Sequence, residues 1–170
     1  DESVTVLRFM LRFGTEDTLL NLLQQLTQPV AAADLKQTDR YGRTLLHDLT
    51  QHAPEPVVKA AVQYFKRKVE PEHLEAQDVY SWTPLHHLFQ VHSEAFILEL
   101  TKHLDKQITP RLLTLQDHRG ATLLHVLYHR GFFRAVTEIL KRISYHSGDA
   151  LKQRLLVLQD VSGMSLLHIL

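Results

Sequence analysis

The sequence predicts an all-α protein, a solenoid of stacked helix-turn-helix units with short β-turn or hairpin fingers and extended segments between units. Two observations carry this expectation. A polar signature of Asp, Thr or Ser, and His recurs four times in register. Behind it, apolar residues fall at i, i+3 and i+4, the pattern of one helix face. A single pair of short helices cannot bury its apolar sides alone, whereas neighbours stacked in series share a continuous core.

The four copies read TDRYGRTLLHDLTQH, QDVYSWTPLHHLFQVH, QDHRGATLLHVLYHRG and QDVSGMSLLHIL. Aligned on Asp39, Asp78, Asp117 and Asp160, they are separated by 39, 39 and 43 residues, and His47, His86, His125 and His168 keep the same intervals. Thr5 to Arg8, followed by Gly14, reads as the remnant of an earlier copy. Asp39, Asp117 and Asp160 open four-residue turns that close on Gly42, Gly120 and Gly163. Asp bonds its own backbone two residues on, and Gly accepts positive φ. Ser81 takes the glycine's place in the second copy.

Thr44, Thr83, Thr122 and Ser165 stand immediately before apolar stretches, the position of a helix N-cap. Pro84 follows its cap at the first helical position, where a missing N–H costs nothing. A first helix of about nine residues is expected to run to Gly14, Ala53, His92 and Gly131. Second helices carry Leu19, Leu22 and Leu23, then Val58, Ala61 and Val62, then Phe96, Ile97 and Leu100, then Val136, Ile139 and Leu140. Pro56 opens the second of these. Leu35, Leu74, Leu113 and Leu156 each sit four residues before a turn aspartate, which predicts a short extra helical turn packed back on the stack. The divisions that follow are a partial repeat over 1–37, repeats over 38–76, 77–115 and 116–158, and a truncated repeat over 159–170, in one domain cut from a longer protein.

DVYSWTPLH and DHRGATLLH, each followed by a helix, a turn and a second helix, resemble the ankyrin repeat, and the resemblance spans nearly the whole chain. It implies a finger and two antiparallel helices per unit in a curved array. It also implies that Thr44, His47, Thr83, His86, Thr122, His125, Ser165 and His168 are structural, bonding around each helix start and to the adjacent repeat. The units exceed the usual 33 residues by about six to ten. Ala53 and His92 replace the glycine between helices. Leu49-Thr50, Leu88-Phe89 and Leu127-Tyr128 replace a small Ala pair, which is expected to spread the helices or change the curvature.

Composition removes several function classes. Nineteen basic and nineteen acidic residues cancel, against the excess of Lys and Arg that non-specific nucleic-acid binding needs. With no cysteine there is no disulfide, thiolate nucleophile or Cys-ligated zinc, which fits an intracellular, cytoplasmic location. No apolar run approaches the roughly 20 residues of a membrane span, and the N-terminus lacks the basic start of a signal peptide. No phosphate-binding glycine loop, dinucleotide fingerprint or nucleophile elbow occurs. His125 and His129 share a helix face at i, i+4 but lack the glutamate of a zinc-protease motif, so no metal, cofactor or small-molecule substrate is expected. His87 is expected at the surface, beside a framework His86. The basic run FKRKV at 65–69 is expected to be a solvated helix end.

The resemblance places partner contacts between each turn aspartate and its capping Thr, and late in each first helix. The first copy offers Arg40, Tyr41, Arg43, Gln51 and His52. The second offers Val79, Tyr80, Trp82, Gln90 and Val91, and the third His118, Arg119, Ala121, His129 and Arg130. Tyr, Trp and Arg are enriched in binding hot spots. Tyr41, Tyr80 and Trp82 occupy turns, where nothing in the framework demands an aromatic. The expectation is a non-catalytic protein-binding module. The alternative is the substrate-targeting arm of a larger enzyme, because the long Leu-, Gln- and His-rich repeats resemble those of effectors that intracellular bacteria secrete into the host cytoplasm.

Overall fold

The computed structural model describes the backbone of residues 2–25, 32–65, 69–147 and 149–168, and the side chains of 5–25, 33–64, 69–143 and 149–167. Lys66, Arg67 and Lys68 of the basic run and the side chain of His168 lie outside the described residues. Helices dominate, and no strand occurs among the described residues; Gln159 and Ser165 make one isolated bridge. The helices are α1 (Glu2–Phe13), α2 (Glu16–Gln25), α3 (Ala32–Leu35), α4 (Leu45–His52), α5 (Glu55–Phe65), α6 (Pro71–Glu75), α7 (Pro84–Val91), α8 (Glu94–His103), α9 (Pro110–Thr114), α10 (Leu123–His129), α11 (Phe133–Ser147) and α12 (Asp149–Val157), with a 3-10 turn at Leu166–His168. None of them is long and apolar enough to cross a membrane.

Contacts between elements run in series. The first helices α1, α4, α7 and α10 each touch the next. Second helices α2 and α5 touch, α8 and α11 touch, and the short third helices link α6 to α9 and α9 to α12. Leu45, Leu49, Leu85, Leu88, Phe89, Leu123 and Leu127 from the first helices form the centre of one core with Val57, Val58, Ala61, Ile97 and Val136 from the second. The bulky Leu49, Leu88 and Leu127 are each almost fully buried.

The third helices close the stack from below each turn. Leu35, Leu74 and Leu113 are buried within it. In the last copy burial passes from Leu156, half-buried, to Leu155, fully buried. There α12 runs nine residues where α6 and α9 run five, so the interior face is set by its longer helical register. Ala53 and His92 leave their helices in extended backbone (φ −81° and −90°), whereas Gly131 turns at φ +75°. That is why the third copy, unlike the first two full copies, needs a glycine between its helices.

The four turns are built alike. Oδ1 of Asp39 accepts the backbone N–H groups of Tyr41 and Arg43. Asp78 does so for Tyr80 and Trp82, Asp117 for Arg119 and Ala121, and Asp160 for Ser162 and Met164. Successive turns are also tied edge to edge: Val79 N–H donates to the Tyr41 carbonyl, His118 N–H to that of Tyr80, and Val161 N–H to that of Arg119. Gln77 and Gln116 span the same seams. The Gln77 amide donates to the carbonyls of Ser81 and Gln116, and the Gln116 amide to those of Gly120 and Gln159.

Gly42, Gly120 and Gly163 close their turns at φ +70°, +71° and +76°, and Ser81 does so at +59°. A side chain in this left-handed region costs on the order of 1 kcal/mol, partly offset by the lower unfolded-state entropy of Ser. Ser81→Gly should therefore raise stability by roughly 0.5 kcal/mol, or about 1–2 °C in melting temperature. An unchanged or lower melting temperature would show that the Ser81 side chain contributes more than its backbone costs.

Candidate functional site, an aromatic groove across the turns

Each helix start is fixed by a Thr and a His three residues on. The Thr44 N–H donates to Nδ1 of His47 at 3.0 Å, and Thr44 Oγ1 lies 2.8 Å from the same nitrogen. Thr83 with His86 and Thr122 with His125 repeat this. Histidine thus fills the role that Glu or Gln has in a capping box. Because Nδ1 accepts, the proton sits on Nε2. The Nε2–H of His47 donates to the Trp82 carbonyl at 3.0 Å, that of His86 to Ala121 at 3.3 Å, and that of His125 to Met164 at 3.2 Å. Each acceptor is the residue just before the next cap, so every imidazole ties one unit to the following turn. Ser165, the cap residue of the last copy, is buried. Burial pushes the pKa of His47 and of His86 down to about 4, and lowers that of His125.

Both ring nitrogens of these histidines are engaged, and among the described residues no cluster of three or more metal-ligating side chains occurs. His129 sits in the open, with Nε2 3.5 Å from Oδ2 of Asp160.

Above this framework the turns form a groove of about 480 Å³. It is lined by Tyr41, Arg43 and Gln51 of the first full copy, by Tyr80 and Trp82 of the second and by His118 of the third, all expected at a partner site. Asp78 and His87 complete it. The His87 ring packs 4.8 Å from Trp82 and 5.7 Å from His47. Tyr80 packs at a tilt against His118, with ring centres 5.8 Å apart. Arg40 and Arg43 lie over the Tyr41 ring, 4.8 and 5.2 Å from its centre, and Arg43 reaches the Gln51 side-chain oxygen at 3.3 Å. Tyr41 is 39% exposed and Tyr80 58%, so both rings remain accessible at the groove mouth.

His87 is not at the surface. It is 6% exposed, and its Nε2 lies 3.1 Å from Oδ2 of Asp78. The position after each described framework histidine is interior: Asp48, His87 and Val126 are all buried there. Burial lowers the pKa of His87, against the opposing pull of Asp78.

Two further expectations need correction. Arg130 is half-buried and engaged within the fold; its Nη1 donates to the carbonyls of Phe89 at 2.9 Å and His92 at 2.6 Å, and its guanidinium lies over Phe132. It therefore closes the C-terminal end of α7 from the next unit. Ala121 is buried within its turn. Val79, Gln90, Val91, Arg119, His129 and His52 are exposed but outside the groove lining.

A comparison with protein-family models and with curated proteins finds no match. The chemistry of the groove therefore rests on its own residues.

The sequence marks Asp78 only as a repeat position and expects His87 at the surface, so neither is foreseen in the groove, and the Gln77–Gln116 seam is not foreseen at all. The recurring Gln-Asp pair at 77–78, 116–117 and 159–160 is the signal that points to the seam. A second group also escapes the repeat pattern: Arg8 and Arg12 of α1 meet Asp48 of α4 and Asp39 of the first turn. A separate cleft of about 360 Å³ among α8, α9 and α11 has a largely aliphatic wall of Ile108, Leu113, Ile139 and Ile143 and lacks the aromatic faces of the groove.

Proposed function

We propose that the chain is a divergent ankyrin-type solenoid that acts as a non-catalytic protein-binding module inside the cell. The observation that carries this reading is the gathering of Tyr41, Tyr80 and Trp82, from two successive turns, onto one open groove. Aromatic side chains on a rigid scaffold supply large contact area at low entropic cost. The polar residues that could suggest chemistry are engaged elsewhere. The turn aspartates hold backbone N–H groups, and the repeat histidines cap helices and bridge units.

Trp82 is half-buried and covers His86 and His87, so its removal would disturb the scaffold as well as a partner. Tyr41→Ala with Tyr80→Ala tests the surface more cleanly. A partner captured by the wild-type chain should bind the double variant about 100-fold more weakly, two hot-spot losses of roughly 1.4 kcal/mol each. Helical circular dichroism and melting temperature should change little. Binding within about twofold of wild type would remove the groove from the partner surface.

A further inference from the structure

The groove has a charge character that net composition hides. Asp39, Asp78 and Asp117 stand along the turns, but each spends Oδ1 on two backbone N–H groups. Oδ2 of Asp78 meets His87, and its side chain is 1% exposed. Oδ2 of Asp39 is shared by Arg8, Arg12 and Arg43. With Asp48 added, two carboxylates face three guanidinium groups. Arg40, over the Tyr41 ring, and Arg119, beside His118, form no ion pair among the described residues. The acids are turned inward, Arg40 stands over Tyr41 in the first turn of the groove, and Arg119 is exposed in the turn that carries His118. Between them Tyr41, Tyr80 and Trp82 leave room for an apolar side chain.

We propose that the groove takes an extended acidic peptide segment: one aromatic or branched apolar side chain enters between Tyr41, Tyr80 and Trp82, and flanking Asp or Glu side chains meet Arg40 and Arg43 beside Tyr41 and, beyond the lining, Arg119 in the turn that carries His118. This rests on the protein-binding reading and names its partner's chemistry. Guanidinium groups held over aromatic rings are partly desolvated and pre-oriented, the arrangement in which Arg binds carboxylates well. The seven-residue reach of such a segment, about 23 Å extended, is of the order needed to cross three turns at helix-stack spacing.

Trp82 is the sole tryptophan and lines the groove, so its fluorescence reports this site alone. The probes are three synthetic heptapeptides with a central Phe, flanked by alternating Glu and Asp, by Gln and Asn, or by Lys. The acidic peptide should shift Trp82 emission saturably, and the neutral peptide should bind at least about tenfold more weakly. The affinity of the acidic peptide should fall with added salt. Arg40→Glu with Arg119→Glu, at exposed positions that leave the fold intact, should reverse the preference toward the Lys peptide. Equal binding of acidic and neutral peptides overturns the proposal, as does tighter binding of the Lys peptide to the wild type, or silence of Trp82 toward all three. A natural partner that is lost in the Tyr41 and Tyr80 double variant yet carries no acidic stretch also overturns it, while leaving the protein-binding reading standing.

Discussion

The unfolding free energy of this protein, measured in urea, should fall as the pH is lowered from 6.5 to 4, with about 2.8 kcal/mol per pH unit supplied by two histidines, about 1.4 from each. His47 and His86 are buried and neutral, with pKa values pushed down to about 4 from the ordinary 6.5. In this window the unfolded chain binds protons that the folded chain refuses. Stability is complete above pH 6.5 and declines as the pH drops toward 4. The full loss is about 3 kcal/mol for each ring. His87, His92 and His125 are lowered in the same direction by burial and add to the slope.

The cause is geometric. Nδ1 must accept the Thr N–H and Nε2 must donate to the next turn, so a second proton would replace an acceptor with a donor facing a donor. Carboxylates act in a different window. Asp39 and Asp160 have lowered pKa values, and the stability they supply above their unfolded pKa is lost only at still lower pH. His47→Gln with His86→Gln should be less stable at pH 7 but should lose the part of the slope that these two rings supply, keeping only that of His52, His87, His92 and His125. An undiminished slope in the double variant would place the main titrating groups elsewhere.

Much of the layered arrangement could be read from spacing, because the residues that build it are polar and must recur where the backbone demands them. An Asp that accepts two turn N–H groups, a Thr that caps and a His that bridges units cannot drift in register. Leu35, Leu74 and Leu113 likewise announce the third helices by their fixed distance from the turn. Tyr41, Tyr80 and Trp82 stand out in the sequence because the repeat framework asks for no ring in a turn, although Trp82 also packs on His86 and His87.

What could not be read is whatever depends on the neighbouring layer. Asp48, His87 and Val126 share one position but differ in chemistry, because one faces α1, one faces α4 and Trp82, and one packs into the core. His87 looks exposed from its own helix alone. Arg130 looks like a free late-helix residue. However, α10 stops at His129, and Arg130 then reaches back to the carbonyl groups that end α7.

The ion-pair group on α1 supplies the second large effect. Asp48 has a side chain with no exposure, and Arg12 donates to its Oδ1 from Nη2 at 2.7 Å and Nε at 3.2 Å. Its Oδ2 has no hydrogen bond among the described residues and lies 3.5 Å from Arg8 Nη1. A buried carboxylate that loses its main partner is left uncompensated, and such losses run to about 3–5 kcal/mol. Arg8 remains in Arg12→Met, and the Met stem keeps the packing, so about 2–3 kcal/mol is expected for this variant. Adding Asp48→Leu should restore most of that loss, because the charge needing a partner is gone; the coupling is read from a double-mutant cycle in urea. A cost near 0.5 kcal/mol, ordinary for a surface pair, would mean that water reaches Asp48. The same variant links scaffold to groove. Arg12 shares Oδ2 of Asp39 with Arg43. Without Arg12, Asp39 is left to Arg43 and Arg8, so the lip beside Tyr41 loses positive charge and an acidic segment should bind it less tightly.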